Sequence, residues 1–545
     1  MALFLTAEAY PISETGVRFR TSNAADQQVF DCCEALCKEN IDVFGDKKVL
    51  KEGAKYNGVW LETQPIGGEM YAKRDMEIAV NNQLVFFENQ RIDGRLPGMI
   101  TFRLPYQGLT PHYSWMQGNF LPFAALKVAY LIGKNRTFLE LLYRTLRKFD
   151  EYLWAYRDSD GDGCLEAWCV WDTGEDNCTQ LMVNGVHPYL NGLWVGEKAP
   201  YGVAKLPFES AQYMAYSYAN RAVLAEVSAL LENGEEAQWR ARAQAVQQKM
   251  KDYLWDAEKK ACYDRDCDNI PIDCLSQSNI KCMHLGAFTQ EMADAFICTH
   301  LMNKEAFATY VPLPGIAANN PYFYLSAEQN NCTPEMLDAI CDMVHGDVMD
   351  NSWSGPCGGL TQQRLPDALL NYGHHAELGW FGRRWIGNLG VTGKYVQQYN
   401  PFTGAAAPGL EGYGPTMLAA LEYFALMYGV EKTYDRLVWS SVCDHTETEY
   451  TQHLYGHNYT VKRAAQCMTA CCDDTVLFTV TSGVRVYTNE SGAVQRVFGI
   501  AENAQQITLT TNGVTCTAVI HPNEEMEWCD GQLKTVRRVP YTAVY

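Results

Sequence analysis

Residues 211–254 read AQYMAYSYANRAVLAEVSALLENGEEAQWRARAQAVQQKMKDYL, and the reading of this stretch decides the fold. Its second half sets Trp239, Ala243, Val246, Met250 and Tyr253 at alternating intervals of four and three, which gathers apolar side chains on one face of a helix. The first half, 211–232, is a helical run of its own, and Asn233-Gly234 gives a helix C-terminal signal between the two. So short a link returns the chain on itself as an antiparallel hairpin whose members cover each other's apolar stripes. Leu139, Leu142, Leu146, Phe149 and Leu153 repeat the pattern in 138–155. Further helices are expected near 26–39, 76–92, 119–132, 285–302, 334–344, 361–372, 375–387 and 415–428, the last opening at Pro415 and closing at Gly429. About a dozen helices in roughly 400 residues, with Gly-, Pro- and Trp-rich inserts, fit six hairpins closed into an (α/α)6 barrel with its loops at one rim. Beyond about 433 the period falls to two: Val476, Phe478 and Val480 alternate with Leu477 and Thr479, and Asn512-Gly513 separates two Thr/Val-rich runs. The expectation is a mainly α protein with an N-terminal extension over 1–25, the barrel over 26–432 and a β-sandwich over 433–545.

The 545 residues can bury a large core. Basic residues number 44 against 64 acidic ones, and a net charge of −20 repels polyphosphate and anionic lipid, so neither nucleic acid nor a membrane surface is an expected partner. Charged residues make up only 20% and aromatics 12%, with 13 Trp and 32 Tyr, which excludes disorder and supplies many flat apolar faces. No apolar run is long enough to span a bilayer, and the opening MALFLTAEAYP has neither a basic flank nor a cleavage pattern. The 20 cysteines are scattered, include the adjacent pairs Cys32-Cys33 and Cys471-Cys472, and never form Cys-x-x-Cys. They read as buried thiols of a cytoplasmic protein, without a zinc site. No nucleotide or redox loop is visible, and no cofactor is expected.

Carboxylates and aromatics concentrate in the inserts. The densest insert, Asp158 to Asn177, holds Asp158, Asp160, Asp162, Glu166, Trp168, Trp171, Asp172, Glu175 and Asp176 directly after the helix that ends near Trp154. Indole faces stack on the C–H faces of a pyranose and carboxylates take its hydroxyls, while glycoside cleavage needs a proton donor of raised pKa. A solvated acidic loop is the plainer alternative. Asp158, Asp160, Asp162 and Gly163 also match the start of a calcium loop, but Cys169 stands where a bidentate Glu would close it. Hydrogen-bonded turn carboxylates, without a metal, are therefore expected there.

Several of these segments carry a resemblance. Asp160-Gly-Asp162-Gly-Cys-Leu-Glu166, followed by Trp171-Asp-Thr-Gly174-Glu175-Asp176-Asn177, resembles the Ser/Thr-Gly-x-Asp-Asn/Asp motif of six-hairpin glycosidases, among them glycoside hydrolase family 63, mannosylglycerate hydrolase and trehalase. Gln90 to Gly98 is similar to their Gln-x-x-Asp-Gly-x-x-Pro stretch, Asn351-Ser-Trp353-Ser354-Gly355-Pro356 to their Trp-Arg-Gly-Pro segment, and Tyr399-Asn400-Pro401-Phe-Thr403-Gly404 with Tyr413 to their Tyr-Asn-Pro-x-Thr-Gly segment. The likeness runs in consistent order over about 80–430. It implies an inverting glycoside hydrolase acting on an α-linked glucoside or related oligosaccharide or small glycoside, with Asp176 as general acid. Trp171, Glu175, Asn177, Trp353, Gln397, Tyr399 and Tyr413 would be substrate contacts. Trp60 and Glu62, with Gln64 and Glu69 in a Gly-flanked loop, would line a subsite or brace the rim. Trp115 and Gln117 precede a helix, where capping competes with sugar contact.

Two departures stand out. Where the relatives carry the Glu that acts as general base, this chain has Gln397, and an amide cannot take a proton from water. Ser354 replaces the Arg of Trp-Arg-Gly-Pro, removing a strong donor. Three readings follow: Glu411, on the Gly-rich loop before the last helix, is the base; inorganic phosphate attacks instead of water, with His374, His375 and Arg364 as its pocket; or the barrel binds a glycan without turnover, or draws its acid and base from another arrangement that no motif marks. His187, Cys169 and Cys178 read as structural residues.

Overall fold

The computed structural model describes residues 10–103, 108–343, 352–444 and 446–545; helices dominate as far as Tyr428 and strands beyond it. In chain order the helices are α1 (Ala24–Glu39), α2 (Gln64–Tyr71), α3 (Met76–Glu88), α4 (Leu121–Leu131), α5 (Arg136–Tyr156), α6 (Thr179–Val183), α7 (Ala211–Leu231), α8 (Glu236–Lys249), α9 (Ser278–His284), α10 (Gln290–Phe296), α11 (Pro334–Met343), α12 (Gly359–Leu370), α13 (Leu378–Thr392) and α14 (Gly414–Tyr428). α7 and α8 form the hairpin read from 211–254. α7 is left through Glu232 in the left-handed region (φ 54°), and the chain past Lys249 winds as a π-turn over Met250–Leu254. Contacts among six helices run in a cycle: α2 on α4, α4 on α7, α7 on α9, α9 on α12, α12 on α14, and α14 back on α2. Outside them α3 covers α2, α5 covers α4, α8 covers α7, and α1 and α13 cover α14.

Two members of the cycle, α2 and α9, carry no helical signature in the sequence. α2 contains Pro65 and the pair Gly67-Gly68, which reads as a loop. The glycines are there because α2 and α3 approach closely: a Cβ on Gly68 would lie 2.4 Å from Cβ of Asn82. α9 has seven residues, and Asn279 and Lys281 on it are fully buried, so it shows no amphipathic stripe. The helix expected over 285–302 starts only at Gln290, after Gly286 at φ +70°, and its last turn, Ile297–Leu301, is a π-turn.

The C-terminal region forms a seven-stranded and a six-stranded antiparallel sheet. The first takes in Gly16–Thr21, from the stretch expected as an N-terminal extension, paired with Thr448–Leu454. The second starts with Val430–Thr433, directly after α14. Trp439 of the six-stranded sheet meets Tyr459 and Phe478 of the other at ring distances of 6.1 and 5.7 Å, so the two sheets face each other. Asn512 (φ 50°) and Gly513 (φ 75°) make the tight turn between Gln505–Thr511 and Val514–Ile520. All 20 cysteines are free thiols, and no helix among the described residues is long and apolar enough to cross a membrane.

Candidate active site

The site is built from what lies between helices. After α5 the chain turns through Asp158–Asp162 and pairs Glu166–Ala167 with Phe208–Glu209. It then passes over a 3-10 turn, Val170–Asp172, into the segment that carries Asp176. Asp172 anchors this run. It is fully buried and accepts from Met116 N–H (3.0 Å), Trp168 N–H (2.8 Å) and the Arg157 guanidinium (2.5 Å). Although burial opposes it, Arg157 holds this carboxyl below the usual range, so Asp172 stays ionised as a fixed brace. Backbone bonds from Gln117 N–H to Trp171 O (3.0 Å) and from Gly118 N–H to Asp172 O (2.9 Å) fasten the loop before α4 to the acid loop. Gly174, at φ +72°, lets the backbone pass Glu62: a Cβ there would stand 2.2 Å from Oε2 of Glu62.

These loops enclose a cavity of about 90 Å³ lined by Glu52, Tyr56, Trp60, Glu62, Gln117, Gly174, Asp176, Trp353, Leu360 and Gln397. Of the residues singled out in the sequence, Trp60, Glu62, Gln117, Asp176, Trp353 and Gln397 thus come together on one cavity. Trp353 N–H donates to the carbonyl of Asp176 (3.2 Å), so the two segments are joined by main chain as well. Asn351, from the same resemblance segment, lies outside the described residues. Ser354, which replaces an Arg of the relatives, is fully buried: its hydroxyl donates to the Asn177 carbonyl (3.0 Å) and accepts from Thr179 N–H (2.8 Å). It closes the acid loop rather than facing the cavity.

Burial, with Glu62 nearby, raises the Asp176 carboxyl to about 7, while Lys281 opposes the shift. Lys281 is fully buried on α9 and donates to the Thr173 carbonyl (2.9 Å), with Glu175 at 3.2 Å and Glu62 at 3.8 Å. Glu62 is also held by the Arg364 guanidinium at 2.7 Å. Two buried cations therefore keep Glu62 and Glu175 paired, and neither cation lines the cavity. Nothing in the sequence pointed to the remaining carboxylate, Glu52. Burial raises it to about 8, with Glu62 and Asp176 adding to the shift; the one opposing hydrogen bond comes from the Tyr413 hydroxyl. Glu52 follows Lys47, Lys48 and Lys51 and precedes Lys55, a run that reads as a solvated charged segment, and no motif marks it. Tyr56 and Leu360 were missed for the same want of a pattern.

The other expected residues lie elsewhere. Glu411 is exposed and ion-paired with Lys394, and it does not line the cavity. Tyr399 is fully buried, its hydroxyl donating to the Lys394 carbonyl (2.6 Å) and its ring set against Trp385. Tyr413 is buried and its hydroxyl donates to the Glu52 carboxylate. Trp115 and Trp171 meet edge to face at 5.5 Å beside the cavity, and neither lines it. Glu175 faces the packing behind the acid loop, and Asn177 is buried, its main-chain carbonyl accepting from the Ser354 hydroxyl (3.0 Å). A second, open groove of about 810 Å³ adjoins the cavity through the shared residues Tyr56 and Gln397, and its wall runs along Leu325, Gln329, Gln398, Asn400 and Leu410.

A small cavity adjoining a broad groove, with two carboxyls of raised pKa and two indoles, suits recognition and cleavage of a sugar. The family model of the mannosylglycerate hydrolase MGH1-like glycoside hydrolase domain matches residues 68–414. No curated protein sequence matches the chain. Among solved structures, the GH63 mannosylglycerate hydrolase from Thermus thermophilus in complex with glucose aligns with a TM-score of 0.56 at 17% identity, over 73% of this chain and 99% of that one. A GH78 family rhamnosidase of Bacillus sp. GL1 aligns with a TM-score of 0.54 at 15% identity, over 83% of this chain and 40% of that one. At such identities the structural likeness speaks for the fold, whereas the family match spans more than half of the sequence. The chain belongs to the mannosylglycerate hydrolase MGH1-like glycoside hydrolase family, within the six-hairpin glycosidases.

Proposed function

We propose that this protein hydrolyses an α-linked glucoside or a related α-glycoside with inversion of configuration, in a cavity at the rim of an (α/α)6 barrel braced by its C-terminal β-sandwich. The cyclic contacts of α2, α4, α7, α9, α12 and α14 support the barrel. The observation that carries the chemistry is the buried Asp176 carboxyl, raised to about 7, sharing one small cavity with Glu52, raised to about 8. Asp176 protonates the departing oxygen. Glu52 takes the proton of the attacking water, in place of the Glu that Gln397 replaces and of the exposed Glu411. Inversion requires the two carboxyls about 6.5–9.5 Å apart with water between them. As Asp176 holds its proton its repulsion on Glu52 is relieved, so the productive state carries one proton between the two groups. Trp60 and Trp353 flank the sugar, and Glu62, held by Arg364 and Lys281, takes its hydroxyls. The substrate is an oligosaccharide or small glycoside present in the cytoplasm. The Thermus thermophilus relative, solved with glucose, supports a hexose in the cavity.

The phosphorolytic reading fares worse. His374 is paired with Asp294 and Glu377, His375 faces Arg485, Arg364 is committed to Glu62, and none of the three lines the cavity. The deciding experiment is incubation with a panel of α-glucosides, α-mannosides and mannosylglycerate, with and without inorganic phosphate, followed by proton NMR of the freed sugar. The expected result is a β-anomer formed first and no dependence on phosphate. An α-anomer formed first, strict need for phosphate, or no turnover of any glycoside in the panel would each defeat the proposal.

A further inference from the structure

Between the helical body and the six-stranded sheet lies a cleft of about 790 Å³ that the hydrolytic reading does not use. Phe123 and Tyr130 of α4 and Glu226 of α7 belong to one wall, and none of the lining residues is shared with the catalytic cavity. The other wall is one face of the sheet. In the register of its strands Tyr487 stands opposite Val438 and Arg496, and Arg496 stands opposite Glu527, so these side chains form a row across that face. Trp439, next to Val438, points to the other face, where it meets the second sheet. Close-packed junctions leave few voids larger than a water molecule, whereas a cleft of this size has the dimensions of a small-molecule site at a boundary between domains.

Uncommitted polar groups converge on this cleft beside aromatic rings. The Arg436 guanidinium lies 5.3 Å from the ring centre of Tyr487 and 6.0 Å from that of Tyr434, and among the described residues no carboxylate stands within ion-pair distance of it. The neighbouring charges are paired: Asp435 with Lys134 (2.7 Å) and Glu527 with Arg496 (3.2 Å). Glu226 accepts from the Tyr130 hydroxyl (2.6 Å) and has no cation partner among the described residues. One cation and one carboxylate therefore remain, and their charges cancel. Trp528 completes the lining. A second observation concerns the backbone. Tyr434 opens the two-residue turn between Val430–Thr433 and Arg436–Ser441 at φ 52°, a conformation that suits Asn or Gly and strains a bulky residue. Its ring meets Tyr130 edge to face at 5.1 Å, so the strain is borne where the aromatic wall of the cleft is built.

We propose that this cleft is a second, non-catalytic saccharide site that takes a neutral di- or trisaccharide. A sugar hydroxyl both donates and accepts, so hydroxyls of one ligand can accept from the Arg436 guanidinium and donate to the Glu226 carboxylate. An anion would be repelled by Glu226 and a cation by Arg436. The rings of Trp528 and Tyr434 supply apolar faces for the C–H faces of a pyranose. The role is retention of a glycan on the protein without turnover, and it does not rest on the parts given to Asp176 and Glu52.

The test is fluorine NMR of the full-length protein labelled with 5-fluorotryptophan, titrated with the sulfur-linked analogues of maltose, maltotriose and α-mannobiose, which resist hydrolysis. The Trp528 signal is assigned by its loss in Trp528→Phe, and the Trp60 and Trp353 signals in the same way. A saturable shift of the Trp528 signal with at least one of these sugars is expected, whatever happens at Trp60 and Trp353, which report on the catalytic cavity. Arg436→Gln should weaken binding at Trp528 about tenfold through loss of a charge-assisted hydrogen bond, with affinity at Trp60 and Trp353 unchanged. Arg436 is exposed, so this variant should fold as the parent does, and Glu226→Gln provides a second with the same expected loss. Three results would each overturn the assignment: a Trp528 signal that none of these sugars moves, a shift produced by glucose 6-phosphate and not by the neutral sugars, or unchanged affinity in both variants. A shift at Trp528 with silence at Trp60 and Trp353 would support the cleft and count against the catalytic cavity alone.

Discussion

Asp176 and Glu52 titrate as a pair, and their order decides how activity depends on pH. Burial raises Asp176 to about 7 and Glu52 to about 8, and the neighbouring Glu62 adds to both shifts. Well below 7 both carboxyls hold protons and no base remains; well above 8 both are ionised and no acid remains. The expected kcat/KM profile is therefore a narrow bell with its maximum between the two values; since Glu52 holds its proton more tightly, the productive form, with the proton on Asp176, is the minor of the two singly protonated forms, and a profile flat from pH 5 to 9 would remove the pair from the mechanism. Asp176→Asn should lower kcat about 10²- to 10⁴-fold on a natural glycoside. It also takes a negative charge from beside Glu52, so any residual activity should titrate at lower pH. Glu52→Ala should be as inactive, yet sodium azide should restore turnover by attacking the sugar without a base, giving a glycosyl azide. Glu411→Gln, by contrast, removes an exposed partner of Lys394 and should leave kcat unchanged; a loss matching that of Glu52→Ala would return the base role to Glu411. The acid loop was legible because Trp, Gly and carboxylates crowd it, whereas Asp176 within it was singled out only by the resemblance of Thr173-Gly-Glu-Asp176-Asn177 to the glycosidase motif. Glu52 was not legible, since a lone Glu among lysines looks the same whether its backbone ends in solvent or beneath Tyr413. Tyr399 shows the converse: its motif is visible, but the side chain is spent on the Lys394 carbonyl.

Helices were legible where burial is one-sided or the helical run is long. α8 could be read from spacing because it hides Trp239, Ala243 and Val246 and shows its other face, while α7, buried over most of its length, was read from its unbroken helical run up to Asn233-Gly234. α2 and α9 are enclosed on every side, and inside the cycle an approach of backbones or a buried ion pair replaces the stripe. Gly68 is the point of closest approach, with the Asn82 side chain lying where a Cβ would go, and Asn82 cannot step aside freely. Its amide donates to the carbonyls of Leu50 (3.1 Å) and Gln64 (3.0 Å), and its oxygen accepts from Leu50 N–H (3.0 Å). Gly68→Ala should gain helix propensity yet lose more by displacing this amide, for a net destabilisation of about 1–3 kcal/mol. Chemical denaturation would show it as a lowered midpoint at unchanged slope; a stability equal to that of the parent would mean that α2 and α3 have room to part. Lys281 makes the same point about polar residues. On a seven-residue helix it reads as a surface lysine, whereas it binds the Thr173 carbonyl and neutralises Glu175 beneath the acid loop.

At the scale of the molecule the helical body and the sheets are joined by a seam of charges that no local pattern foretells. His374, between α12 and α13, contacts Asp294 of α10 at 2.9 Å and Glu377 at 3.2 Å. Glu377 in turn accepts from the sheet side of the seam: from the Asn523 amide (3.0 and 2.9 Å) and from Thr542 N–H (3.2 Å), near the end of the chain. Beside it the buried Arg485 of the six-stranded sheet reaches the imidazole of His375 (2.7 Å) and the carbonyl of Leu426 on α14 (2.8 Å). Burial alone would lower the His374 pKa, but Asp294 and Glu377 outweigh it and raise the imidazole to about 9. A group whose folded pKa exceeds its unfolded value of 6.5 stabilises the fold fully below 6.5 and loses that contribution as pH rises through 9. For His374 the loss amounts to at most about 3 kcal/mol between pH 6 and 10. Urea unfolding at fixed temperature should show stability falling over this interval, and in His374→Gln the fall should be smaller by that amount, from a lower starting stability at pH 6. Equal slopes in the two proteins would mean that the imidazolium contributes nothing to the seam. The same variant should keep the bell-shaped activity profile, because no atom of this seam lines the cavity that holds Asp176.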